Sequence, residues 1–430
     1  MVFVGWDKPL TVLTDLNTYY FTAVYEEEQP VSGNWLCFTA EKAESEVWYK
    51  NNIFEEGPDV QYSLDGGRTW NPLAPNEHIV LKSENDKVYF KGNNPDGFSR
   101  SEDGEVFSRS TTFRMSGSIA ASGSVMSLVD GEGTSTVIPN DFCFASLFEG
   151  CLSLTKAPEL PATTLTRGCY EEMFRFCDDL VYAPELPALQ MAEECYVAMF
   201  AGCVKLTKAP ALPAKTLATR CYYGMFADCY YLVDVPELPA TNLAEACYGY
   251  MFRGCTSLTD APVLPATVMA TSCYTMMFKD CYALVEAPEL PATTLEDDCY
   301  SSMFSDCSHL EKAPALPAEV LSTFCYEEMF ARCKRLTTAP ELPAKELKSS
   351  CYQNMFNGCT NLNYIKVGVM SLDNDDEATL DWVKGIDGEG VFIFPCGSKY
   401  DKHGVSEVPD NFKIISSPVV VFQNPDGEEL

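Results

Sequence analysis

The chain has 430 residues, 46% of them hydrophobic, and a formal charge of −32 at pH 7. That apolar content excludes global disorder, and the charge argues against nucleic-acid and anionic-membrane partners because it repels phosphate. No apolar run approaches the roughly 20 residues of a membrane-spanning helix, and the length calls for several modules, not a single core.

Met1 is followed by Val2-Phe3-Val4-Gly5-Trp6, without the basic and apolar regions of a secretion signal. Residues 1–30 read as short strands, Phe3-Val4-Gly5-Trp6 and Tyr19-Tyr20-Phe21-Thr22-Ala23-Val24-Tyr25, ended by the acidic run Glu26-Glu27-Glu28. They resemble the second half of the β-grasp repeats of internalin-type surface proteins. The resemblance implies either a reading frame that opens inside a domain or a second chain that supplies the missing strands. Residues 31–115 alternate apolar and polar side chains between closely spaced turn clusters, which predicts a small β-sandwich. Within them, Ser63-Leu64-Asp65-Gly66-Gly67-Arg68-Thr69-Trp70 matches the Asp-box of sialidases. The Asp-Gly-Gly reads as a hairpin turn anchored by the tryptophan, a folding device and not a hydrolase signature.

The Gly/Ser-rich residues 116–139 are expected to cap a strict 26-residue repeat, Cys-Tyr-x-x-Met-Phe-x-x-Cys-x-x-Leu-x-x-Ala-Pro-x-Leu-Pro-Ala-x-x-Leu. Its leading cysteines are Cys143, Cys169, Cys195, Cys221, Cys247, Cys273, Cys299, Cys325 and Cys351. A fixed period of this length means stacked units that cannot bury their apolar faces alone. Apolar residues at offsets 0, 1, 4, 5, 8 and 11 predict one face of a short amphipathic helix. Eight helical residues span about 12 Å, beyond the roughly 4.4–6.8 Å of a disulfide, so the paired cysteines are expected to be reduced core thiols. Their spacing and the three histidines of the chain make no metal site. Pro210 and Pro213 rule out an ordinary central strand on the return path. The expected fold is therefore an α/β solenoid, a short helix plus a short strand per unit over residues 116–364, preceded by small all-β modules. Residues 365–430 form a C-terminal cap, with Asp373-Asn374-Asp375-Asp376-Glu377 as a solvated loop that lacks EF-hand spacing.

Two residues after the repeat's first leucine runs a variable row: Lys156, Tyr182, Lys208, Asp234, Asp260, Glu286, Lys312 and Thr338. A second row, after the first proline, reads Glu159, Glu185, Ala211, Glu237, Val263, Glu289, Ala315 and Glu341. Repeat scaffolds hold such rows in regular arrays while leaving their chemistry free. The first row, from Lys156 to Lys312 in sequence, is the expected contact strip, and its acidic middle suits a basic or cation-bridged partner.

Met-Phe-x-x-Cys-x-x-Leu followed by a proline-bounded segment resembles the BspA-like leucine-rich repeats of Bacteroidetes and other surface proteins, whose unit carries Ala-Phe-x-x-Cys-x-x-Leu. This chain departs by Met for Ala, an added Cys-Tyr, a double proline and a longer period. The resemblance covers about residues 116–364. It implies a non-enzymatic extracellular protein without cofactors that recognises a protein or glycan on a host or partner surface. The setting it implies is a phage virion, as a fibre or decoration protein, or a bacterial cell surface. Two other readings stand beside it: a structural spacer, and a glycan-active enzyme, which needs paired carboxylates in a cleft that the sequence does not display.

Overall fold

The structure, a computed structural model, describes residues 2–6, 23–26, 33–52, 57–99, 110–373 and 377–417. Strands β1 (Val2–Trp6) and β2 (Ala23–Glu26) pair antiparallel. The rest of the segment likened to a β-grasp unit, including Glu27 and Glu28, lies outside the described residues.

Two sheets come next along the chain. One has the order β7-β4-β9, built from β4 (Ser45–Asn51), β7 (Ile79–Leu81) and β9 (Thr111–Ser116). The other runs β6-β5-β8-β3-β10-β11, from β3 (Leu36–Ala40), β5 (Gln61–Ser63), β6 (Asn71–Pro72), β8 (Lys87–Lys91), β10 (Ile119–Ser122) and β11 (Leu154–Lys156). Period-2 alternation puts Val47 and Tyr49 of β4 inside. The inner faces meet where Phe113 lies 5.5 Å from Phe38 and 5.2 Å from Phe90, ring to ring. A single helical turn, α1 (Ser127–Asp130), ends at Gly131 in the left-handed region. Strand β11 already belongs to the first repeat, so sheet and repeats share one core. Among the described residues no helix is long and apolar enough to cross a membrane.

Among the described residues the expected helices are absent. Residues such as 169–177 form a ribbon of linked β-turns, and the α/β reading is overturned: turn ribbons and isolated β-bridges make up the repeats between β11 and the last coil. Alternate N–H groups close turns within the ribbon, Glu171 to Gly168 O at 3.0 Å, Met173 to Tyr170 O at 3.2 Å and Arg175 to Glu172 O at 3.0 Å. The others cross to the next repeat, Tyr170 to Cys195 O at 3.0 Å, Glu172 to Val197 O at 2.8 Å and Phe174 to Met199 O at 2.9 Å. Every fourth residue lies at positive φ: Gly168 at 58°, Glu172 at 53° and Phe176 at 57°. A nine-residue helix would leave four N–H and four C=O groups orphaned at its ends. A ribbon stacked on its neighbour satisfies alternate groups sideways instead. The price is about 1–2 kcal/mol for each non-glycine residue in the left-handed region.

The stack is held by two files of rings. Phe113, Phe148, Phe174, Phe200 and Phe226 follow one another at 5.5–5.8 Å, and the file continues through Phe252 to Phe356. A tyrosine file runs beside it, with Tyr196 5.8 Å from Tyr170 and 5.9 Å from Tyr222. Trp382 closes both, 6.1 Å from Tyr352 and 6.2 Å from Phe356. The repeat cysteines are buried, unpaired thiols, although no helix is there to hold the members of each pair apart. On the return path the chain makes isolated parallel bridges until β12 (Tyr364–Lys366), β13 (Gly390–Phe394) and β14 (Phe412–Ser416) form a parallel sheet.

Candidate functional site

The variable row lies along those bridges. Lys156 pairs with Tyr182, Lys208 with Asp234, Asp260 with Glu286, and Glu286 with Lys312, all parallel. Each member of the row is exposed, and Tyr182 keeps 65% of its surface in solvent. The structure thus brings the seven residues into one file, one per coil. The electrostatics differ from a plain acidic strip, because Lys208 and Lys312 lean onto acidic neighbours. Lys208 Nζ lies 2.7 Å from Asp234 Oδ2, and Lys312 pairs with Glu286. Asp260 instead accepts a bond from Thr259 Oγ1 at 2.7 Å. Such exposed pairs contribute about 0–1 kcal/mol each, so they arrange charge more than they stabilise the stack.

Beside the row, successive proline segments leave grooves. Tyr182, Pro184, Leu186 and Lys208 border one of about 460 Å³; Asp234, Pro236, Leu238 and Asp260 border another of about 480 Å³. Proline fixes these segments and removes a donor, which keeps the groove walls extended and apolar.

A larger hollow, about 780 Å³, opens on the turn ribbons and shares no lining residue with the grooves. Its floor is the backbone and small side chains of two consecutive coils: Ala198, Ala201 and Gly202, then Gly224 and Ala227. The coil before raises Glu172, Arg175 and Phe176; the coil after raises Tyr250 and Arg253. The repeat pattern does not mark this site. Its signal lies in outward positions of the ribbon, where Ala198, Ala201, Gly202, Gly224 and Ala227 are small in two successive repeats.

The Asp-box carboxylate is fully engaged in its own turn. Asp65 Oδ1 accepts the N–H groups of Arg68 and Thr69 at 3.0 and 2.9 Å, and Oδ2 accepts Thr69 Oγ1 at 2.7 Å. Those bonds, with Thr69 first and Ser63 after, hold the acid well below the usual carboxylate range. Trp70 Nε1 donates to Gly67 O at 3.0 Å, and its ring packs edge-on against Trp35 at 5.2 Å. In the C-terminal acidic loop, Lys402 pairs with Asp373, while residues 374–376 lie outside the described residues.

Comparison with protein-family models, with curated proteins and with solved structures finds no match to this chain. The resemblance to BspA-like repeats therefore rests on the motif residues alone.

Proposed function

We propose that this protein is a non-catalytic recognition protein that engages a partner or host surface, protein or glycan, through one face of its coil stack. The observation that supports this most is the file from Lys156 to Lys312 in sequence: exposed side chains of varied chemistry, one per coil, on a backbone whose ribbons are bonded to each other. Rigid scaffolds with variable positions are suited to recognition. The repeat thiols are withdrawn from the surface. Burial pushes the Cys143 and Cys229 thiols up to about 12, where they stay protonated and unreactive. An extracellular setting, on a virion or a bacterial surface, comes from the sequence resemblance and is part of the same proposal.

The test is binding of the labelled full-length protein to candidate host cells and partner particles, compared with a Tyr182→Ser, Asp260→Lys double variant. The reading expects binding to fall at least fivefold and the native interaction to weaken with salt. Equal binding by the folded double variant would remove the strip from consideration. A stack with no surface partner at all would leave the spacer reading, which the continuous core also suits.

A further inference from the structure

We infer that the hollow over Ala198, Ala201, Gly224 and Ala227 is a binding site for a neutral oligosaccharide. This goes beyond the strip, with which it shares no residue, and it names a ligand class from the groups that line it.

Three observations point there. The first is an unpartnered buried acceptor. Glu172 lines the hollow and is only 5% exposed. Its Oε1 takes Arg175 Nη1 at 2.6 Å, but its Oε2 is buried without a hydrogen-bond partner among the described residues. A buried carboxylate oxygen left without a donor is unfavourable, and a ligand hydroxyl that donates to Oε2 would relieve it.

The second is charge balance. Arg167 holds Glu194 at 3.0 Å, with Arg220 3.8 Å away on the same carboxylate, and Arg253 lies between Asp228 at 3.9 Å and Asp280 at 3.8 Å. An anionic ligand would have to displace these carboxylates, and a cationic one the arginines. A hydroxyl is at once donor and acceptor. It can use the remaining N–H groups and lone pairs without breaking any pair. Glu171, on the same wall, fits this balance: burial, then Glu172 and Glu194, push its carboxyl up to about 7, against Arg220 and Arg167. Near neutrality it donates as well as accepts.

The third is the aromatic rim. Phe176 is 45% exposed, with the Arg175 guanidinium over one face of its ring at 4.6 Å; Tyr223, with Arg220 over its ring at 4.7 Å, meets Tyr250 of the next coil at 5.0 Å. Ring faces beside planar polar groups suit a pyranose, which has apolar C–H faces and a hydroxyl edge. Coils about 4.8 Å apart place the walls on either side of the two small coils some 14 Å from each other, room for more than one sugar ring. The volume is in the roughly 300–1,000 Å³ range of small-ligand sites.

The experiment uses the full-length protein with cellotriose, maltotriose, mannotriose and xylotriose, and with 3′-sialyllactose and trilysine as the charged comparators, read by saturation-transfer NMR and calorimetry. At least one neutral trisaccharide should bind. Glu172→Gln should weaken it tenfold or more by replacing the acceptor with a donor, and Ala227→Trp should abolish it by filling the floor. Asp260→Lys, on the strip, should leave it unchanged. Binding of none of the neutral sugars, or of the charged comparators only, overturns the inference. So does undiminished binding by Glu172→Gln with native thermal unfolding, which decides the matter even if Ala227→Trp does not fold. Loss of sugar binding in Asp260→Lys would move the ligand to the strip, against this site and in favour of the other.

Discussion

The Cys229 thiol donates to the carbonyl oxygen of Phe200 at 3.1 Å, reaching back into the preceding coil for an acceptor that also takes the N–H of Cys203. The same bond joins Cys203 to Phe174, Cys255 to Phe226 and Cys281 to Phe252. Cysteine suits the position because it packs as a small hydrophobe and still offers a weak donor. The second cysteine of each repeat is thus a tie between coils.

Thiol counting should reflect this. Denatured, unreduced protein is expected to yield all twenty cysteines as free thiols, whereas the native protein should expose Cys396 alone to a thiol reagent. Raising the pH to about 9 should not bring out the core thiols, since burial holds Cys229 and Cys359 near 12. Several fast-reacting thiols in the native state would contradict that burial.

Phe226 is fully buried between Phe200 at 5.6 Å and Phe252 at 5.8 Å. Phe226→Ala is expected to cost about 3–5 kcal/mol. Because each coil leans only on its neighbours, the loss should also broaden or split the denaturant transition. An unchanged midpoint and slope would show that the ring files do not hold the stack.

The left-handed positions make a prediction of opposite sign. Ala246 sits at φ 49°, where a Cβ is unfavourable and glycine is at ease. Ala246→Gly should therefore raise stability by about 0.5–1 kcal/mol, net of glycine's greater freedom in the unfolded chain. Gly254→Ala, at φ 74°, should lower it by a similar amount. Thermal midpoints that move the other way would refute the turn-ribbon geometry.

Glu171 gives the stack a pH dependence. Its carboxyl, pushed up from 4.5 to about 7 chiefly by burial, keeps its proton in the fold at pH values where the unfolded chain has lost it. Stability should fall as pH rises through that window and level off above it. Glu171→Gln should match the native protein near pH 4 and exceed it by about 1–2 kcal/mol near pH 8, allowing for partial exposure. Parallel stability curves for the two proteins would show that this carboxyl titrates normally.

The sequence announces the period and the buried set: Cys195, Tyr196, Met199, Phe200 and Cys203 are apolar in pattern and buried in fact. It does not announce their conformation. Pairs of apolar residues four apart fit a 3.6-residue helix and a four-residue ribbon of turns equally well over nine positions. The usual mark of left-handed backbone is also missing, because Glu194, Phe324 and Ser350 occupy positions where glycine is expected. What selects the ribbon is the neighbouring coil, a partner that no single repeat encodes. The hollow was hidden for a related reason. Its floor is defined by what two adjacent repeats lack, at Ala198 and Gly224, and it appears only when the coils are laid side by side.

In the ribbons, cross-coil N–H groups point toward the following repeat, so each coil offers one surface of donors and one of acceptors. Such head-to-tail joining does not close on itself and, left open, produces filaments. The chain carries its filament internally and stops it at both ends. At the start, Ser99 and Phe113 donate to the carbonyls of Cys143 and Leu147. At the finish, Tyr352 and Phe356 donate into the segment that carries Trp382. Between those stops the same ribbon bonds recur from coil to coil, so the array can lengthen or shorten by whole units of 26 residues without a new kind of backbone joint.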